Sequence, residues 1–331
     1  MTKLLSIAIT CSAAASIGAT DCNGHELPDA GIHDAAHGSD ATTGSDAAVG
    51  SDASVGSDAM TTTTTTIFTI VLENHDYSEI VGSANAPYIN SLIAQGALAT
   101  AYNDTGHPSL PNYLHMISGD NQYLGFIDLD PTAFGFPVDQ PNLGTQLQAA
   151  GIKWRSYQES MGSPCALAAS GNYAPKHDPF LYFKDMQSGP CAATNVDYTQ
   201  FAGDLATNTY RYMWITPNLL SDGHDPSTDP VAALKASDAW MSREVPKILA
   251  SDAYQHGGIL FITWDEAEGR NGDDPDKIPM IIVSNKVKHA GMTSATAYTH
   301  GSYLATVEDL LGLQRLAKVT TTPNMMEFLN P

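Results

Sequence analysis

The chain is 331 residues long, with 15 Lys+Arg against 36 Asp+Glu, a net charge of -21 and 43% hydrophobic residues. That hydrophobic content excludes wholesale disorder, and the length suits one large domain or two modest ones. The acidity excludes nucleic acid as a partner, whose binding rests mostly on Lys and Arg, and it opposes attraction to anionic membrane surfaces.

The acidity is unevenly placed. Residues 1–60 hold a single basic residue, Lys3, and eight acids, about a third of the net charge. Lys3 precedes an apolar and small-residue run, Leu4 to Ala19. Residues 1–20 therefore read as a secretory signal peptide, and the run is too short to span a bilayer as a helix. The expected location is extracellular or periplasmic. Cys22 follows closely, so a lipid anchor there is an alternative, although Asp21 fits that processing poorly. Residues 21–66 read as a low-complexity spacer: GSDA recurs at Gly38, Gly44, Gly50 and Gly56, and a Thr run fills Thr61–Thr66. A hexapeptide solenoid would need apolar residues to bury, and these repeats have almost none, so a flexible tether is expected. His25, His33 and His37 fall in this tether and read as solvated.

The remaining residues, 67–331, are expected to form one domain. Ile67–Leu72 (IFTIVL) reads as a buried strand, and Pro87–Gln95 as a helix ending at Gly96. Leu143–Ala150 reads as a helix closed by Gly151, and Lys153–Tyr157 as a strand. Further strands are expected at Tyr212–Thr216, Ile259–Trp264 and Pro279–Ser284, with helices at Pro230–Ala250 and Ser302–Leu311. Strands that are apolar throughout and alternate with helices predict an α/β three-layer sandwich, a mostly parallel sheet covered on both faces. Cys165 and Cys191 are a candidate disulfide in an exported protein, worth on the order of 3 kcal/mol for a loop of that length.

In such sheets the site lies beyond the carboxyl ends of the strands. Glu73 and Asn74 follow the first strand, and Asp265 and Glu266 follow ILFITW. Asp222, His224 and Asp225 come shortly after YMWIT. A carboxylate at a strand end is costly to desolvate unless something pairs with it. A single one is ordinarily a cap or turn former; several together point to a divalent cation such as Zn, Mn, Mg or Ca. Ser109 precedes Leu110-Pro111-Asn112, where Pro suits a helix start, so its hydroxyl is placed where a helix N-terminus favours anions. Alone, such a Ser is an N-cap; beside a metal cluster its hydroxyl becomes a nucleophile.

The segments ENHDY, APYINSLIAQGAL, HPSLPNYLHMISG, KHDPFLYF, ITPNLLSDGHD, TWDE and HGSYLATVEDLLGL occur here in one order. The chain thereby resembles the phosphoesterase family, which includes acid phosphatases and phosphatidylcholine-type phospholipases C, within the alkaline phosphatase superfamily. The resemblance covers residues 67–315 and implies an alkaline-phosphatase-like fold. It implies a phosphorylated nucleophile at Ser109, and Asn112 as a phosphate-oxygen donor. It implies Lys176 and His177 as a basic pair that binds phosphate or protonates the leaving group. The implied metal ligands are Glu73, Asn74, Asp222, His224, Asp265, Glu266 and His300, holding one or two divalent ions. Sulfatases of the superfamily carry Arg four residues after the nucleophile, where this chain has Tyr113. Sulfatase chemistry is therefore not expected.

The first functional reading is a secreted phosphomonoesterase that acts on small phosphate esters. The alternatives are a phospholipase C-type phosphodiesterase and, last, a non-enzymatic binding domain. Of the remaining histidines, His75 divides evenly between a supporting and a local role. His107 reads as support for the nucleophile loop and His115 as a buried, hydrogen-bonded group. Asp273, Asp274 and Asp276 read as a surface turn rather than a calcium loop.

Overall fold

The computed structural model describes residues 65–122, 127–270, 274 and 276–331. The expected signal peptide, residues 21–64 of the expected spacer with Cys22, and Asp273 lie outside the described residues; Thr65 and Thr66, read as the end of the spacer, are instead buried, and the Thr66 carbonyl accepts from the Ile259 amide at 2.9 Å. Nine strands form one sheet: β1 (Ile67–Leu72), β2 (Ala97–Asn103), β3 (Trp154–Gln158), β4 (Asn195–Asp197), β5 (Tyr212–Thr216), β6 (Ile259–Trp264), β7 (Lys277–Val283), β8 (Met292–Ser294) and β9 (Tyr298–Thr299). Their spatial order is β4-β3-β5-β1-β6-β7-β2-β8, with β9 also pairing β2.

β1, β5 and β6 are buried along their whole length, which is why their sequences are apolar on both faces. β1 pairs in parallel with β5 on one side and with β6 on the other. Antiparallel pairing occurs only where β7 lies between β6 and β2, so the sheet is mostly parallel, as its sequence pattern predicts. β2 was not anticipated: ALATAYN lacks the β-branched run that marks the central strands, and a register shift breaks it between Ala99 and Tyr102. It nonetheless runs in the same direction as β1, because two antiparallel steps separate them.

Helices cover the sheet. The Pro230–Leu249 helix starts on an Asp229 cap to the Ala232 amide and buries Leu234, Met241, Val245 and Ile248 along one stripe. The C-terminal helix is longer than expected, His300–Leu311, because Thr299 and Ser302 cap it two residues earlier. The helix that matters most is Ser109–Ser118, nine of whose ten residues are buried. It ends at Gly119, whose φ of 69° suits glycine, and where a Cβ would come within 2.8 Å of Val319. Cys165 and Cys191 are disulfide-bonded, with Cα atoms 5.4 Å apart. Among the described residues no helix is long and apolar enough to cross a membrane.

Candidate active site

Register brings the strand-end residues together. Leu72 pairs with Trp264, so Glu73 and Asp265 leave the sheet side by side, with the Asp265 amide donating to the Leu72 carbonyl at 2.9 Å. The Glu73 amide donates to the Asp222 carbonyl, also at 2.9 Å, which draws in the loop after β5. Asn74 turns the chain at a φ of 29°, a left-handed value that Asn tolerates better than most residues. Its amide side chain donates to Glu266 at 2.9 Å and to Glu268 at 2.8 Å.

The Ser109–Ser118 helix delivers Ser109 onto this cluster. Ser109 Oγ lies 3.0 Å from Glu73 Oε2 and 3.1 Å from Glu266 Oε1, and the residue is only 2% exposed. Lys176 Nζ reaches Ser109 Oγ at 3.5 Å and Asp128 at 2.7 Å. Four carboxyl groups, Glu73, Asp222, Asp265 and Glu266, are thus buried with little positive charge among them. Burial first, then repulsion from Glu73, pushes the pKa values of Asp222 and Asp265 well above the carboxylate range. Glu266 is raised mainly by burial, opposed by the adjacent His107 imidazole. Burial works against the Lys176 ammonium, yet Glu73, Asp128 and Asp265 together keep its pKa above the ordinary lysine value.

Several of these groups lack partners. Asn74 Oδ1, Asp222 Oδ2 and Asp265 Oδ2 are buried oxygens that accept no hydrogen bond, and Glu266 Oε2 lies 2.8 Å from His107 Nδ1 without proper alignment. Native interiors rarely leave such atoms unpaired, and each calls for an explanation. Hard oxygen donors clustered in one buried place suit a divalent cation. Among the described residues no three His, Cys, Asp or Glu side chains are already arranged as a cage around one point. Ser109 lies between Glu73 and Glu266 instead.

The two expected histidine ligands are differently placed. His300 Nε2 lies 2.7 Å from the Asp265 carbonyl and Nδ1 lies 3.1 Å from the Tyr102 hydroxyl, so both ring nitrogens are engaged and Nε2 holds the peptide behind the cluster. His224 sits partly exposed beside Asp225, its Nδ1 3.4 Å from that carboxylate, while its backbone amide donates to Asp222 at 3.0 Å.

Asn112, expected as a phosphate donor, has its amide engaged elsewhere. Its Oδ1 accepts from Thr105 N and Oγ1 at 2.9 and 2.6 Å, and its Nδ2 donates to the Gly106 carbonyl at 2.5 Å. It fastens the loop before the nucleophile. His177 is 2% exposed, stacked on Tyr113 at 5.3 Å between ring centroids, and burial lowers its pKa to about 4. This neutral, enclosed imidazole lies with its Nε2 3.1 Å from Glu73 Oε1 but makes no hydrogen bond there, and it is unsuited to protonating a leaving group.

Three residues outside the expected set complete the site. Tyr113, four residues after Ser109, donates to Glu73 Oε1 at 2.6 Å. His107 stands at the mouth, its pKa raised to about 9, chiefly by its contact with Glu266. Asp128 accepts the Leu110 amide at 3.0 Å as well as Lys176, so its carboxylate covers a helix N-terminal donor. Asp104, at the end of β2, supports the floor by accepting from Gly106 and Ala267 amides at 2.8 and 2.7 Å. It would have been flagged with the other strand-end acids had β2 been recognised. His75 is fastened locally, with its Nδ1 2.9 Å from Glu79. His115 is partly buried, which lowers its pKa to about 4.

Comparison with known proteins identifies the family. The model of the Phosphoesterase family matches residues 82–314. A phosphatidylinositol-3-phosphatase of Mycobacterium tuberculosis is 30% identical over 269 residues, covering 78% of this chain and 81% of that protein. A probable acid phosphatase of Kluyveromyces lactis is 27% identical over 275 residues, covering 79% of this chain and 62% of its own length. The chain thus spans less than two thirds of the fungal relative. Among solved structures, an alkaline phosphatase superfamily protein from Vibrio parahaemolyticus superposes with a TM-score of 0.55 at 13% identity, covering 81% of this chain and 70% of that one. The fold is that of the superfamily, the strand-end cluster sits where such sheets bind ligands, and the chain belongs to the Phosphoesterase family of phosphoric ester hydrolases.

Proposed function

We propose that the protein is an exported, metal-dependent phosphomonoesterase with Ser109 as its nucleophile. The observation that carries this reading is the Ser109 hydroxyl, buried between two carboxylates and within reach of Lys176. Ser109 Oγ would form the new bond to phosphorus while its proton passes to Glu73 or Glu266, which already accept from it. The bonding pair of the ester P–O bond leaves with the departing oxygen, which takes its proton from solvent. Lys176 would meet the charge on the phosphoryl oxygens. Water then cleaves the phosphoserine and restores the hydroxyl.

The unpartnered oxygens fit a metal requirement. Glu73, Asn74, Asp222, Asp265 and Glu266 are the residues that would hold one or two divalent ions. Bound there, such ions would supply Lewis-acid stabilisation of the transferring group. The named relatives are phosphatases, which favours monoesters over the phospholipase C alternative. The Leu4–Ala19 run and the Cys165–Cys191 disulfide both suit export to an oxidising compartment.

Hydrolysis of p-nitrophenyl phosphate, with and without chelator, tests the reading. Ser109→Ala is expected to lower kcat/KM by roughly a thousandfold or more with the fold intact, and chelation to act comparably. Activity that survives both treatments would sink the mechanism.

A further inference from the structure

We infer that a cleft beside Lys176 is the subsite for the leaving group, and that it takes an uncharged, apolar alcohol or phenol. The inference rests on the Ser109 reading above and specifies its substrate class. The cleft, of about 400 Å³, lies between the Asp128–Ala133 segment and the Ala169–Lys176 segment. Small-molecule sites usually fall between about 300 and 1,000 Å³.

Continuity with the nucleophile comes through Lys176. It lines the cleft, and its Nζ lies 3.5 Å from Ser109 Oγ. Elsewhere around Ser109 the space is taken by Glu73 and Glu266, with His107 against the latter. An ester group on a phosphoryl centred near Ser109 therefore has room on the Lys176 side. The walls there are Leu129, Ala133, Ala169, Ala174 and Pro175, whose side chains offer neither donors nor acceptors to a hydroxylated group.

Charge narrows the class further. Asp128 and Asp130 also line the cleft, and Lys176 is already paired with Asp128. A leaving group carrying its own negative charge would meet carboxylates without a free cation in the cleft wall to offset them. Ile127 and Phe134, which flank the Asp128–Ala133 segment in sequence, are exposed apolar side chains, 55% and 103%. The walls are held in place, since Tyr182 donates to the Leu129 carbonyl at 2.7 Å and Tyr173 to the Ala166 carbonyl at 2.8 Å.

The test compares kcat/KM of the full chain, supplied in turn with Zn, Mn, Mg and Ca, for ethyl, hexyl and 5-carboxypentyl phosphate. These primary alkyl leaving groups have nearly the same acidity, so differences report binding of the chain. A buried methylene is worth about fourfold, so hexyl phosphate is expected to exceed ethyl phosphate by roughly tenfold or more. The carboxylated chain is expected to fall back to the ethyl level or below. Ala169→Trp should cut the hexyl-to-ethyl ratio by roughly fivefold, and Ala133→Trp, on the other segment, should do the same if the first variant folds poorly. A wild-type ratio near one, with both esters turned over, overturns the subsite and leaves the Ser109 mechanism standing. Absence of turnover with every metal overturns that mechanism and the subsite with it.

Discussion

Thr69 and Glu73 are four residues apart at β1 and its carboxyl end, and each belongs to a buried polar cluster. Around Thr69 the cluster is neutral and closed. Thr69 Oγ1 lies 2.6 Å from the Tyr303 hydroxyl, and that hydroxyl lies 2.9 Å from the Tyr212 hydroxyl. Burial raises both tyrosine pKa values, so neither ionises near neutral pH. Around Glu73 the cluster is acidic and open, with buried oxygens of Asn74, Asp222 and Asp265 left without partners. A buried polar group contributes to stability only when it is satisfied, and an unsatisfied one costs the full desolvation of that group. The first cluster therefore holds the sheet to the His300–Leu311 helix. The second, with its unsatisfied oxygens, carries an uncompensated desolvation cost, the usual relation between active sites and stability.

The largest effect expected from breaking this contrast is at Glu266. Glu266→Gln keeps the shape and removes one buried charge. Phosphatase activity should fall by roughly a hundredfold or more, about 3 kcal/mol of transition-state stabilisation. Thermal unfolding without divalent metal should show the variant at least as stable as wild type, because like charges are relieved. A destabilised variant with normal activity would reverse the assignment.

Asp178 sharpens the comparison, because it too is a buried carboxyl with an unpartnered oxygen, Oδ2, yet it lies outside the carboxyl cluster. Its Oδ1 accepts from Ser156 at 3.0 Å, and burial raises its pKa to about 7. No neighbouring carboxylate contributes to that shift, unlike those of Asp222 and Asp265, which Glu73 also raises. With a folded pKa above the unfolded value of about 3.9, its contribution is fully present below about pH 4 and is lost as pH rises toward 7. In Asp178→Asn that loss should vanish, so the variant should gain about 3 kcal/mol on wild type between pH 4 and pH 7 in denaturant titrations. Parallel stability curves would refute this.

The smallest effect belongs to the closed cluster. Tyr303→Phe removes the shared hydroxyl and is expected to cost about 1 kcal/mol in urea unfolding, with kcat/KM unchanged. A drop in activity would show that the two clusters communicate through β1.

Much of the fold was legible because the central strands announce themselves. IFTIVL, YMWIT and ILFITW are apolar on both faces, and only a doubly covered sheet accommodates that. β2 was hidden because its composition is small and mixed, and β4, β8 and β9 because two or three residues carry too little pattern. At the site, Glu73, Asp265, Glu266 and Ser109 were legible from their places after strands or at a helix start. Asp128 was not, because nothing in FIDLDP marks a residue that reaches a helix N-terminus 18 positions earlier.

The sequence by itself determined the layered α/β architecture, the acids at the strand ends and the nucleophile candidate. Each follows from local periodicity and from what ends a strand or starts a helix. Tertiary structure alone decided what each side chain faces. Asn112 fastens a loop, His177 is stacked and neutral, and His300 holds a peptide carbonyl. Lys176 turns one wall of the site toward an apolar cleft. Those roles depend on contacts between residues up to 198 positions apart, and no local pattern encodes which of a side chain's faces meets a partner.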